Sequence, residues 1–95
     1  MSVAQSAPIS QIVTVGAAAA QLPNMNANAQ LTLKALSTNT GLIYIGPSTV
    51  TANTNGPTDG LELAANQFVT IYASNANLYY AIASAAGQKL CILAE

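Results

Sequence analysis

Few side chains in this sequence could carry out chemistry, and the first candidates are two carboxylates. Asp59 and Glu62 stand three positions apart, a spacing that could serve general acid–base catalysis or part of a calcium site. The chain has no histidine, the commonest general base, and a calcium site of about 6–8 oxygen ligands usually shows denser acidic and amide spacing. We therefore predict that both are solvent-facing charges, Asp59 in a loop and Glu62 on an edge strand.

One cysteine and four tyrosines are the remaining candidates. Cys91 stands between Leu90 and Ile92, which is typical of a packed thiol rather than a nucleophile, and one cysteine without histidine does not build a structural zinc site. The tyrosines at positions 44, 72, 79 and 80 could stack on sugars, but tyrosine on a strand more often belongs to a core or an interface. We predict no catalytic residue, no metal site and no cofactor, and therefore not an enzyme.

The charge content is very low. Only 2 basic and 3 acidic residues occur in 95, against roughly 25% charged residues in ordinary domains. Two lysines cannot form the basic surface that phosphate binding needs, so no nucleic-acid partner is predicted. No apolar run approaches the ~20 residues of a membrane-spanning helix, and the N-terminus lacks a signal-peptide pattern. We predict no membrane partner and synthesis in the cytoplasm.

Apolar periodicity and turn residues predict an all-β fold. Residues 30–36 alternate, with Leu31, Leu33 and Ala35 on one face and Thr32 and Lys34 on the other. All six glycines and four prolines fall between the predicted strands. The strands that we predict are 11–15, 30–36, 42–45, 61–63, 68–73, 78–83 and 89–94.

These segments predict a compact single-domain β-sandwich or barrel of about seven short antiparallel strands. Residues 1–10 are predicted to be a flexible N-terminal arm, and residues 11–95 a single β domain. The four alanines at 17–20 are predicted to be an extended connector that leads to a buried Leu22. The last three strands are predicted to form a meander.

Both faces of the last two predicted strands are apolar, as in strands that are covered on both sides. One side must be the core of this small domain, so we predict that the other contacts a second subunit. Oligomerisation is a common way to stabilise a small domain without disulfides or zinc; a monomer kept soluble by Asn, Gln, Ser and Thr is the alternative. The predicted subunit interface consists of Tyr79, Ala81, Ala83, Cys91 and Leu93.

The segment 46–60 is a long loop rich in Ser, Thr, Asn, Gly and Pro. Loops of this length in small domains are usually functional or disordered. Val50 is its one large apolar residue and is predicted to anchor its middle. The residues predicted to contact a partner are Ser48, Thr49, Val50, Thr51, Asn53 and Asn55.

Residues 39–72 carry a pattern that resembles a known group of proteins. The order is N-T-G-L-I-Y-I-G-P, then a loop rich in Thr and Asn, then L-A-A-N-Q-F-V-T-I. The segment T-V-G-A-A-A-A-Q-L-P before Q-L-T-L fits the same pattern. Over about residues 10–94 the chain resembles small virion proteins of tailed bacteriophages, of the type that decorates or cements the head.

This resemblance implies a β-sandwich or barrel with a non-enzymatic, structural role. The implied function is to decorate and cement the phage capsid through protein–protein contacts. The implied partners are further copies of the chain, in a homotrimer, and the major capsid protein. The implied location is the capsid surface of the virion, after synthesis in the host cytoplasm. The alternative is a tail or head-fibre module that contacts a host-surface glycan, and a third class is a cellular protein that binds a small ligand.

Overall fold

Eight short strands and one 3-10 turn form this protein in a computed structural model that describes residues 7–52 and 56–95. The predicted all-β fold is confirmed. The elements are β1 (Ile9–Val15), β2 (Ala20–Gln21), β3 (Leu31–Ala35), β4 (Ile43–Gly46), β5 (Leu61–Leu63), β6 (Phe68–Ile71), the 3-10 turn Ala76–Leu78, β7 (Tyr80–Ala83) and β8 (Gln88–Ala94).

The strands form two four-stranded antiparallel sheets, arranged as a sandwich. Sheet A has the order β1-β8-β3-β6, and sheet B has the order β2-β7-β4-β5. The extra strand relative to our prediction is β2, which ends the alanine segment and pairs with β7. A strand this short has no periodic pattern of its own, because only its pairing partner defines it.

The strand pairings are nested. β1 pairs with β8, β2 with β7, β3 with β6, and β4 with β5. This nesting is what results when one long antiparallel hairpin is rolled up, and with the two cross-pairings β3–β8 and β4–β7 it gives the order of an eight-stranded jelly roll.

The predicted C-terminal meander is wrong. β6 and β8 belong to sheet A, whereas β7 lies between them in sequence but belongs to sheet B. Each of the two connections therefore crosses from one sheet to the other instead of forming a hairpin. Turn residues show where the chain reverses, but they do not show whether the next strand pairs in the same sheet.

The core lies between the two sheets. Leu31, Leu33 and Ala35 of β3 are buried and Lys34 is exposed, so the predicted alternation is confirmed. Leu22 is buried in the same core, as predicted. The other strands contribute the buried residues Val15, Ile43, Ile45, Leu63, Ala81, Ala83, Leu90, Ile92 and Ala94.

Two predicted strands begin two residues away from their predicted starts. β1 begins at Ile9, two residues before the predicted start of the β domain, and residues 1–6 of the predicted arm lie outside the described residues. The predicted strand 78–83 begins only at Tyr80. The reason is the 3-10 turn in front of it, which Asn75 caps by accepting a hydrogen bond from the Asn77 backbone N–H at 2.9 Å.

Candidate interaction surfaces

The outer face of sheet A consists of the side chains that point away from the core. Successive residues of a strand face opposite sides, so the pairing register assigns these side chains to rows across the sheet. One row consists of Ile12, Cys91, Lys34 and Phe68. The next row consists of Ser10, Leu93, Thr32 and Thr70, and beyond the first row lie Thr14 and Lys89.

Four of the ten side chains of this face are apolar, and two of these four are largely exposed to solvent. Ile12 is 58% exposed and Phe68 is 65% exposed. Between these two side chains Cys91 is half-buried, and Lys34 is the one charged residue in either row. The outward face of a half-buried antiparallel sheet is normally polar, so the outer face of sheet A has the composition of a contact surface.

Hydroxyl groups supply most of the polarity of this face. The Thr32 and Thr70 hydroxyl oxygens lie 3.4 Å apart across the β3–β6 pair. Lys89 donates from its Nζ to the Thr14 hydroxyl oxygen at 2.6 Å. These groups can keep hydrogen-bond partners when the face is covered, which limits the free energy lost on desolvation.

The structure separates the five residues of the predicted subunit interface. Cys91 and Leu93 lie on the outer face of sheet A. Ala81 and Ala83 are 2% and 1% exposed inside the core cluster, and Tyr79 packs partly buried against it. The predicted outward orientation of Ala81 and Ala83 is therefore wrong. Both faces of this strand are apolar, so its periodicity could not distinguish the core side from the outer side.

The long loop between β4 and β5 is held at both ends. Val50 is buried, so its predicted role as the anchor is confirmed. Thr51 and Asp59 form a parallel bridge, and the Thr51 hydroxyl donates to Asp59 Oδ1. The Gly56 backbone N–H donates to Asp59 Oδ2 at 3.1 Å. Asp59 is therefore a structural residue that closes the loop, and our prediction of a solvent-facing charge is wrong for it.

The other loop residues that we predicted to contact a partner divide into two groups. Ser48 and Thr49 are exposed in the turn that follows β4. Asn53 and Asn55 lie outside the described residues. Among the described residues of the predicted contact set, Ser48 and Thr49 are therefore the exposed ones that a partner can reach.

Glu62 is exposed on the edge strand β5, as predicted, but it is not an isolated charge. The Tyr44 hydroxyl donates to Glu62 Oε2 at 3.1 Å. Tyr44 is only 1% exposed although it lies on the side of β4 opposite to Ile43 and Ile45. Over the described residues, no three His, Cys, Asp or Glu side chains are grouped so that they could hold a metal ion.

A cleft of about 500 Å³ lies between the edge strands β5 and β6. Asn66, in the turn between these strands, has a positive φ of 71°, and Gln67 Oε1 accepts a hydrogen bond from the Ala64 backbone N–H at 2.8 Å. The lining residues are Leu61, Glu62, Leu63, Asn66, Gln67, Phe68 and Val69. The sequence did not indicate this cleft, because it forms only where the edge strand β6 of sheet A lies beside the edge strand β5 of sheet B.

No protein-family model matches the chain, and no curated protein or solved structure is significantly similar to it. Within the described ranges, no helix is both long and apolar enough to cross a membrane. The resemblance to phage virion proteins stays a prediction.

Proposed function

We propose that this protein is a non-enzymatic structural protein of a phage virion, which decorates and cements the capsid through protein–protein contacts. The outer face of sheet A is the observation that carries the proposal. This face has two rows of apolar and hydroxyl side chains with Lys34 as their one charge. Exposure of its apolar part to water is unfavourable, and covering that part with another protein lowers the free energy.

The outer face of sheet A carries little charge, with Lys34 in its two rows and Lys89 beyond them, where its Nζ donates to the Thr14 hydroxyl. A buried charge without a partner costs several kcal/mol, which is the usual obstacle to covering a protein surface. Lys34 can avoid that cost, because its aliphatic stem can lie along the sheet while its ammonium group reaches the rim of the contact. The major capsid protein is the proposed partner for this face.

The strand order supports a virion role without selecting it. Eight-stranded jelly rolls occur in viral capsid proteins, but also in lectins and cupins. A fold shared by several functions does not identify one of them. The function therefore has to be tested by substitutions on the outer face of sheet A.

Particles from the virus that encodes this chain provide the test. We expect the protein in many copies per purified particle on a stained gel. Phe68→Lys on the outer face of sheet A should abolish incorporation into particles. Leu78→Lys is the matched control, because Leu78 is also exposed but belongs to the 3-10 turn. Absence from particles, or normal incorporation of Phe68→Lys, would contradict the proposal.

The second candidate function is a tail or head-fibre module that contacts a host-surface glycan. The cleft between β5 and β6 favours it, because a carboxylate, two side-chain amides and an exposed ring line one surface. Carboxylate and amide groups can bond sugar hydroxyls, and the ring can pack on a sugar face. Binding to glycans of the host envelope that Asn66→Ala and Gln67→Ala abolish, with few copies per particle, would select this function instead.

A further inference from the structure

The four sheet edges of this sandwich differ in their protection. β2, β5 and β6 are two, three and four residues long, and short edge strands are poor templates for another strand. β1 is seven residues long, from Ile9 to Val15, and contains no charged residue, proline or glycine. Five of its residues are exposed. β1 is therefore the edge that lacks the usual devices against pairing.

The backbone hydrogen bonds of β8 divide between its two neighbours by residue parity. The Leu36 N–H donates to the Lys89 carbonyl at 3.2 Å, and Gln30 and Glu95 exchange two bonds of 3.1 and 2.9 Å. In an antiparallel pair both backbone groups of one residue point to the same neighbour. Odd-numbered residues of β8 therefore bond to β3, and even-numbered residues bond to β1.

Within residues 7–52 and 56–95, the same rule identifies the backbone groups of β1 that have no strand partner. The even-numbered residues of β8 stand opposite Ile9, Gln11, Val13 and Val15. The N–H and C=O groups of Ser10, Ile12 and Thr14 consequently point to the open edge of sheet A. Their side chains belong to the outer face of sheet A, so the open edge continues the exposed apolar surface.

We propose that β1 pairs antiparallel with β1 of a second copy, so that two copies of sheet A become one eight-stranded sheet. Ile12 is the middle residue of β1, and the twofold axis passes between the two copies of it. Each Ile12 N–H donates to the Ile12 carbonyl of the other copy. Ser10 pairs in the same way with Thr14 of the second copy.

A second copy fits this edge because β1 is self-complementary in that register. Ile12 faces Ile12, and Ser10 faces Thr14, on the outer side. Ile9 faces Val15 and Gln11 faces Val13 on the inner side. Cross-strand pairs of β-branched and hydroxyl side chains stabilise a sheet, and no like charges meet. The antiparallel arrangement also places the two Lys89 residues at opposite ends of the joined sheet. The pairing goes beyond the proposed function and does not depend on a location in the virion.

Proline substitutions provide a matched test, because proline removes one backbone N–H. Ile12→Pro removes a donor that points to the open edge, so the variant should fold but be monomeric. Thr70→Pro is the control on the opposite edge of sheet A. The Ala35 N–H donates to the Gln67 carbonyl at 3.0 Å, so by the same alternation the odd-numbered residues of β6 bond to β3. The Thr70 N–H therefore points away from β3, to the open edge.

Light scattering at micromolar to millimolar concentration gives the mass of each variant. The wild-type chain and Thr70→Pro should show twice 9.6 kDa, and Ile12→Pro should show 9.6 kDa. A monomeric wild-type chain overturns the proposal. A wild-type trimer also overturns it, because three copies need a head-to-tail contact such as β1 against β6, which both proline variants would break.

Amide exchange of the wild-type chain tests the proposal even if a proline variant fails to fold. The Gln11 and Val13 amides should exchange slowly at every concentration, because they bond to β8. The Ser10, Ile12 and Thr14 amides should become slow only as the concentration rises. Fast exchange of these three amides at the highest concentration would refute the pairing.

Discussion

The side-chain oxygen of Gln88 accepts a hydrogen bond from the Gly41 backbone N–H at 2.9 Å, and the same oxygen accepts one from Thr40 at 3.0 Å. Gln88 is 4% exposed and is the first residue of β8. Its amide group thus joins the turn before β4 in sheet B to a central strand of sheet A. This contact closes one end of the sandwich.

Replacing Gln88 by leucine should destabilise the fold. The substitution leaves the Thr40 and Gly41 N–H groups without their acceptor in a partly buried place, which costs about 1–3 kcal/mol. Chemical denaturation at constant pH measures the change. Gln67→Leu is the control, because Gln67 also bonds a backbone N–H but is exposed. Equal stability of Gln88→Leu and wild type would show that the contact contributes nothing.

Leu33→Ala should be among the most damaging substitutions in the core. Leu33 has no exposed surface, and truncating a buried leucine costs about 2–5 kcal/mol. A domain of this size has only about 5–15 kcal/mol of stability, so the melting temperature should fall steeply. Leu78→Ala removes the same atoms from an exposed position and should have little effect. Similar melting curves for both variants would contradict the assignment of the core.

Ala81→Lys should unfold the monomer rather than only separate subunits. The Ala81 side chain lies in the core, and a buried ammonium group without a partner costs several kcal/mol. Ala20→Lys is the matched control, because Ala20 is the exposed residue opposite Ala81 in the β2–β7 pair. Circular dichroism should show a folded Ala20→Lys and an unfolded Ala81→Lys. A folded Ala81→Lys of altered mass would support an interface there instead.

Gly60→Ala should destabilise the loop between β4 and β5. A Cβ at this position would meet the Ile45 carbonyl and would lie 2.7 Å from Val50 Cγ2, and overpacking of this kind costs about 1–3 kcal/mol. A Cβ at Gly16 would have no neighbour within 4 Å, so Gly16→Ala should be neutral or slightly stabilising. Thermal denaturation compares the two. A loss of stability in Gly16→Ala but not in Gly60→Ala would refute this packing.

The attachment to the capsid should resist salt. Coulomb attraction at an exposed interface is screened at ~1 M salt, where the Debye length is about 3 Å. The outer face of sheet A has one charge in its two rows, so its contact should depend on apolar burial and hydrogen bonds instead. Sedimentation of particles in high salt, followed by a gel, measures retention. Release by salt at a concentration that leaves the capsid intact would indicate an ionic interface.

The amino-acid sequence by itself determined the class of the fold and much of its local structure. The alternation in Leu31–Ala35 predicted both a strand and its buried face, because polar Thr32 and Lys34 mark the other side. The buried Val50 followed from the absence of any other large apolar residue in its loop. Turn residues located most strand ends to within two positions. In each case the information lies in neighbouring residues.

Only the tertiary structure decided which strands pair and which face of each strand is buried. β7 has apolar residues on both faces, so the burial of Ala81 and the outward position of Ile82 depend on the sheet packed against it. Ile12, Cys91, Lys34 and Phe68 come from distant parts of the chain and form one row only through the order β1-β8-β3-β6. Asp59 likewise becomes structural only when the loop brings Thr51 beside it. Local periodicity shows which residues alternate between the two faces of a strand. Which distant strands pair depends on how the whole chain buries its apolar side chains.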